Sequence, residues 1–112
     1  MKRIVCYLRP HQLEAVKTAA ADVGISGMTV TDVRGCGASP EAAAQLGGEV
    51  RVVKMPLRSK LEIVAADEVV EAVVEAVVLH ARTGQSGDGK IFIEPVADAV
   101  RIRTEERGDA AV

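Results

Sequence analysis

Tryptophan is missing from the chain, and the other aromatics amount to one tyrosine and one phenylalanine. The stacking platforms that hold single-stranded nucleic acid are thereby excluded. No basic run occurs either: 14 lysines and arginines stand against 16 aspartates and glutamates, a formal net charge of -2. Without a long-range positive field, neither nucleic acid nor an anionic membrane surface is expected as a partner. Nowhere do eighteen apolar residues run together, and the start MKRIVCYLRP lacks an apolar signal core with a small-residue cleavage site. Direct membrane insertion is not expected, and a cytoplasmic location is. The two cysteines, Cys6 and Cys36, form no CxxC pair and fall on segments expected not to be neighbours, so both are read as free thiols. His11 and His80 have no ligand-spaced companions, and no Ser-His-Asp or paired-carboxylate set emerges. Hence no metal site and no catalytic residue is assigned.

What the chain does have is aliphatic residues in two alternating rhythms. Its 112 residues suffice for one domain and one core. Arg3 to Leu8 is a β-favouring run closed by Arg9-Pro10. From His11 to Val23 the spacing of Leu13, Val16, Ala19 or Ala20 and Val23 predicts a helix, with Gly24 as its stop. Met28 to Val33 and Leu57 to Val64 alternate as half-buried strands do. Asp67 is expected to cap a second helix running to about His80, with an apolar stripe of Val70, Val73, Val74, Val77 and Val78. A glycine-rich turn then leads to a strand over Lys90 to Val96. The order βαββαβ predicts an α+β, ferredoxin-like antiparallel sheet with two helices on one face. Its other face, judged apolar in places, is expected to be closed by oligomerisation.

One further local signal lies between the second and third strands. Ser39-Pro40-Glu41 followed by Ala42 to Leu46 and Gly47-Gly48 has the order of N-cap, first-turn proline, acid, helix formers and stop. A short helix is expected there; being marginal alone in water, it is expected to order with a ligand or target.

Two patterns carry candidate chemistry. In Thr83-Gly84-Gln85-Ser86-Gly87-Asp88-Gly89-Lys90 three glycines let the backbone approach a ligand with N–H groups inward, and Lys90 adds a point charge, the composition of a phosphate nest. The lysine opens a strand, so this is no P-loop, and an ordinary glycine-rich turn stays equally open. In Arg101-Ile102-Arg103 the alternation places two guanidinium groups on one side of an extended chain, suited to phosphate oxygens or merely to solvent.

Together, the runs Gly24 to Gly35, Thr83 to Phe92 and Arg101 to Thr104, closing on Asp109-Ala-Ala-Val112, resemble the PII family of nitrogen-regulatory signal proteins over the length of the chain. The resemblance implies a single domain over residues 1–112, with an effector T-loop at about 36–55, a B-loop at about 82–90 and a C-terminal loop at about 101–112. It implies a homotrimer that binds ATP or ADP, with AMP a further candidate, in clefts between subunits, and Mg2+ accompanying ATP. Gly27, Met28, Thr29 and Val64 would line the adenine pocket, with Glu62 on the ribose side. Gly87, Asp88, Gly89 and Lys90 would form the phosphate loop, met by Arg101 and Arg103 of the neighbouring subunit, and Gly35, Cys36 and Gly37 complete the set.

The T-loop departs from the family pattern. Arg51 stands where many bacterial members carry a modifiable tyrosine, and Glu49 where cyanobacterial members carry a phosphoserine. Ala38, Ser39 and Pro40 replace an arginine, a glutamine and a lysine, and Arg58 replaces a lysine that pairs with 2-oxoglutarate. Ser39 is too short to hold Mg2+ as a glutamine amide does, and Pro40 has no N–H to offer, so binding of 2-oxoglutarate is expected to be weak or absent. The expected function is regulation, through the T-loop, of a membrane transporter or metabolic enzyme in nitrogen or carbon metabolism. Two alternatives from other classes stay open: a small nucleotide-hydrolysing enzyme in which Asp88 positions water, and a metal-linked interaction protein using Cys36 and a histidine.

Overall fold

The computed structural model describes residues 1–37, 43–46 and 50–112. Strand β1 (Lys2–Leu8) runs into a single 3-10 turn (Pro10–Gln12) and helix α1 (Leu13–Asp22). Then follow β2 (Thr29–Arg34), β3 (Ala43–Leu46), β4 (Val50–Val53), β5 (Leu57–Ala65), α2 (Asp67–Ala81) and β6 (Lys90–Pro95). Four strands make one antiparallel sheet in the order β2-β5-β1-β6, the ferredoxin-like arrangement expected; β3 and β4 form a separate two-stranded hairpin.

One face of the sheet carries the core. Ile4, Cys6 and Leu8 of β1 alternate inward beside Leu61, Ile63 and Ala65 of β5, and Val16 and Ala20 of α1 with Val70, Val73, Val77 and Ala81 of α2 close over them. The valines of α2 have modest intrinsic helix propensity, and this burial compensates for it. Val78, expected in the buried stripe, is 44% exposed, because the stripe follows the 70, 73, 77, 81 positions around the helix. Asp67 does not cap α2 either: it is the first helical residue, Ala66 holds the cap position without a side-chain bond, and the Asp67 carboxylate instead accepts from the Met1 ammonium at 2.6 Å. Gly24 ends the first helical segment with φ +98, a left-handed conformation that costs glycine little. The thiols are as expected: Cys6 is buried, its pKa pushed up to about 11 by desolvation, and Cys36 is exposed beyond the end of β2, two strands away from β1.

The opposite face of the sheet is apolar in places, as expected, and carries ion pairs besides. Arg3 reaches Glu62 at 3.6 Å and Glu94 at 3.4 Å, and Lys60 reaches Glu62 at 3.0 Å. Val5 and Phe92, directly paired across β1 and β6, are apolar members of this face, as are Val33 and Val64. A difference from expectation lies in the loop. Ala43 to Leu46, expected as helix, is extended and pairs with Val50 to Val53, from Ala43 opposite Val53 to Leu46 opposite Val50. The β-branched valines of β4 give the extended segment a ladder, whereas a helix as short as the expected one is marginal alone in water. The proposed cap, Ser39 to Ala42, and stop, Gly47-Gly48, lie outside the described residues.

Replacing Leu61, fully buried opposite Cys6 and Val30, by alanine is expected to lower stability by about 2–5 kcal/mol. Denaturant unfolding at one fixed protein concentration measures it; a loss under about 1 kcal/mol would show that α1 and α2 collapse onto the space.

Candidate functional site

Where β2 ends and β6 begins, the sheet opens into a groove of about 620 Å3 lined by Tyr7, Val33, Arg34, Gly35, Cys36, Gly37, Arg58, Gly87, Gly89, Lys90 and Phe92. Backbone bonds shape its walls. Gly35 donates its N–H to the Pro56 carbonyl at 3.1 Å, Arg34 donates to the Met55 carbonyl at 3.3 Å, and Arg58 to the Leu57 carbonyl at 2.9 Å. Lys90 opens β6 directly opposite Tyr7, whose ring meets Phe92 edge-on at a centroid distance of 6.1 Å. Three cationic side chains, four exposed or half-exposed glycine backbones in the 35–37 and 87–89 segments, and one exposed thiol thus share one cavity. That donor set suits phosphate oxygens. A second groove, of about 390 Å3, lies behind Lys90 between α2 and β6; Leu8, Val74, Val77, Ile91 and Ile93 make it mainly apolar, with Arg82, Asp88 and Lys90 also lining it.

The loop between α2 and β6 owes its shape to Asp88. One carboxylate oxygen accepts from the Thr83 hydroxyl and from Arg9 Nε at 3.2 Å; the other accepts the backbone N–H of Thr83 at 2.8 Å and of Gly84 at 2.9 Å. The Thr83 hydroxyl above all, with the two amides and Arg9, holds the Asp88 carboxyl far below the usual carboxylate range. Both oxygens are engaged, one by the loop's own backbone and the other by the Thr83 and Arg9 side chains, so Asp88 is a brace and not a group free to position water. Gly87 and Gly89 flank it at φ +96 and +104. At Gly89 a side chain has no place: a Cβ would stand 1.7 Å from the Tyr7 carbonyl oxygen.

The other predicted residues gather at the opposite end of the sheet. Thr29 pairs with Glu62 across β2 and β5, Val64 pairs with Arg3, and Gly27 and Met28 lead into β2. Met28 packs its side chain against the core, leaving its backbone for any ligand. Lys60 first, then Arg3, lowers the pKa of Glu62, so it stands ionised on the open face. From Arg58 to Val64 is six residues of β5, about 20 Å of strand. An adenine ring and its first phosphate span much less.

After β6 the chain leaves at this same second end, Val96 donating its N–H to the Met1 carbonyl at 3.2 Å. Residues 98–108 then fold on themselves. Val100 bridges Arg107, Arg107 pairs with Asp98 at 2.9 Å, and Arg101 donates its N–H to the Glu106 carbonyl at 2.9 Å. Arg101 and Arg103 do not line the groove. Between them Ile102 is 96% exposed.

The structure therefore brings together Gly35, Cys36, Gly37, Arg58, Gly87, Asp88, Gly89 and Lys90 at one end, and Gly27, Met28, Thr29, Glu62 and Val64 at the other, from which the Arg101–Arg103 segment departs. Ser39 and Glu49 lie outside the described residues; Arg51 belongs to β4, its side chain undescribed. Arg9, Arg34, Tyr7 and Phe92 were not foreseen at the site. Only Arg9 carried any hint, as a charged residue closing a strand just before a proline. Among the described residues no group of three or more histidines, cysteines, aspartates or glutamates converges as a metal site.

The family described as Nitrogen regulatory protein P-II matches residues 1–106. A nitrogen regulatory protein P-II from Cereibacter sphaeroides is 45% identical over 112 residues, all of both chains. Nitrogen regulatory protein P-II 2 from Methanothermobacter thermautotrophicus is 47% identical, over all of this chain and 97% of its own. Nitrogen regulatory protein P-II 1 from Escherichia coli is 42% identical over the whole of both chains.

The Asp88 brace has a pH signature. A carboxyl with a depressed folded-state pKa stabilises the fold above its unfolded value, near 3.8, and that contribution is lost as pH falls through the folded value. Carbon-13 titration of the Asp88 carboxyl is expected to show a midpoint well below 3.8, with the Thr83 and Gly84 amide shifts following it. A midpoint at the ordinary value would mean that the brace is not made in solution.

Proposed function

The chain belongs to the nitrogen regulatory protein P-II family, and from that membership we propose that it binds ATP or ADP between the subunits of a homotrimer and signals the bound nucleotide through its T-loop. Proteins of this family are regulatory signal transducers and not enzymes; they bind adenine nucleotides, form oligomers and act through partner proteins. The hydrolytic alternative is thereby set aside, in keeping with an Asp88 whose oxygens are both engaged by its own loop. Among the described residues no helix is long and apolar enough to cross a membrane.

One observation carries the finer reading: the phosphate-type donors and the adenine-type residues sit at opposite ends of one sheet. A single nucleotide touching both sets needs two copies of the chain. In this reading Gly35, Cys36, Gly37, Gly87, Gly89 and Lys90 come from one subunit. Gly27, Thr29, Glu62, Val64, Arg101 and Arg103 come from its neighbour. The exposed Ile102, with Phe92 and Ile93 on the β6 edge, supports such a contact, since apolar side chains exposed in one copy are covered by the next. Mg2+ accompanies ATP, AMP is a weaker third candidate, and the target is a cytoplasm-facing transporter or a metabolic enzyme, whose docking depends on which T-loop conformation the nucleotide favours.

Calorimetry on Lys90→Ala and Arg103→Ala is expected to show ATP or ADP affinity reduced about ten- to a hundredfold with the oligomer intact, the loss of one charged hydrogen-bond partner each. Because the two residues come from different subunits, oligomers assembled from both variants together regain a fraction of full-affinity sites, each built from the Lys90 of one chain and the Arg103 of the other. No recovery on mixing would place both residues in the same subunit's site and overturn the shared-cleft reading.

The second ligand follows from the loop sequence. Ser39 and Pro40 offer neither an amide side chain for the metal nor an N–H for a carboxylate, which costs several kcal/mol, or on the order of a hundredfold in affinity. Titrating 2-oxoglutarate into protein saturated with Mg-ATP is expected to give little or no heat, and tight magnesium-dependent binding would show that this loop builds the site by other means.

A further inference from the structure

We propose that Arg9 is a positioning residue for nucleotide binding: by gripping Asp88 and the Ser86 carbonyl from the end of β1, it holds residues 87–90 in the shape that receives phosphate. The inference rests on the nucleotide reading above and adds to it a residue 79 positions away in sequence from its partner.

The guanidinium makes two bonds at once. Nε donates to Asp88 Oδ1 at 3.2 Å, and Nη2 donates to the Ser86 carbonyl at 2.7 Å. Arg9 is only 13% exposed and Asp88 22%, which sets this pair apart from solvent-screened surface pairs. Asp88 in turn ties the loop's beginning, at the Thr83 and Gly84 amides, to its end. Strand β1 therefore holds the loop at two points two residues apart. At Tyr7 the carbonyl leaves no room for a side chain on Gly89; at Arg9 the planar fork reaches both loop acceptors.

Residues Thr83 to Ser86 are exposed and contribute nothing to the core, so the polar contacts carry the burden of ordering them. A loop that must be ordered when phosphate arrives binds more weakly by the fraction of time it is out of shape. A lysine cannot replace the arginine, since an ammonium is a single point and the two acceptors require a fork.

The experiment uses the full-length oligomer. Amide hydrogen exchange at Thr83, Gly84 and Gly87 to Gly89 is read in the free protein, and ATP and ADP affinity by calorimetry, for Arg9→Met and Arg9→Lys. Faster exchange confined to the loop, with affinity lowered on the order of tenfold for methionine and less for lysine, is the expected result. A double-mutant cycle with Asp88→Asn is expected to be non-additive, because Arg9 acts through that residue. If Arg9→Met does not fold, the lysine variant and Asp88→Asn carry the same comparison. Wild-type affinity or wild-type loop exchange in the Arg9 variants overturns the inference alone, as does full additivity, which would mean direct contact with the nucleotide. Failure of the unaltered protein to bind ATP or ADP overturns the nucleotide reading beneath it.

Discussion

The pairing of β1 with β5 on one side and β6 on the other governs the rest of the structure. It is the strand whose side chains supply Ile4, Cys6 and Leu8 to the core and whose opposite face carries Arg3, Val5 and Tyr7. Its antiparallel register fixes what stands at each end. Tyr7 meets Lys60 and Lys90 near the groove, while Lys2 meets Ala65 and Pro95 at the far end, where the C-terminal segment departs. A slip of one residue would turn the core face outward and move Lys90 away from Gly35 and Arg58. Fold and candidate site are consequences of one ladder.

The division of donors between the two ends means that, in the proposed reading, a complete site needs a second copy of this small fold. A 112-residue chain with one helix layer buries a limited core, and its other sheet face holds Arg3, Lys60, Glu62 and Glu94 in mutual ion pairs. On such a face the charges are matched and can re-pair across a subunit boundary at little cost. Apolar area for association is on offer at Phe92 of that face, at Ile93 on the β6 edge and in the C-terminal segment at Val100 and Ile102, all exposed. In the proposed reading, oligomer contact and ligand contact then fall on adjacent surfaces, so that occupancy of the cleft would bear directly on the geometry between subunits.

Most of the fold was legible because two periodicities were strong. The alternation in β2 and β5 and the valine spacing in α2 needed no tertiary information, and Gly24 marked the end of the first helical segment by its own conformational freedom. What was illegible depended on pairing between distant residues. Ala43 to Leu46 has helical composition and forms a strand because β4 lies opposite. The open face looked partly apolar in composition, and only the register showed that Glu62 lies between Lys60 and Arg3. In the site, the glycine-rich run announced itself while its brace did not: Asp88 could be read as a reactive carboxylate until Thr83, Gly84 and Arg9 were seen to occupy its oxygens. Arg9 was read only as the stop of a strand, since nothing local links it to a loop beyond the second helix.

A carboxylate spent in this way also bears on how the protein transmits a signal. General-base catalysis needs an acceptor that can take up a proton in mid-reaction, and a carboxyl held far below the usual range by three hydrogen-bonded groups and a guanidinium resists protonation. The same contacts keep the loop in one shape whether or not chemistry occurs. In the proposed reading, a loop so braced beside Gly35, Cys36 and Gly37 leaves the T-loop base as the part of the groove able to answer differences between one phosphate chain and another. Nucleotide identity can therefore be converted into a choice among T-loop conformations only through differential contacts at that base, since a ligand shifts an equilibrium by its differential affinity and by nothing else. Arg34 and Arg58 are tied there to the Met55 and Leu57 carbonyls, so in the proposed reading a phosphate that draws either guanidinium away would also loosen the chain entering β5, and the signal would leave the site along the backbone of the loop itself.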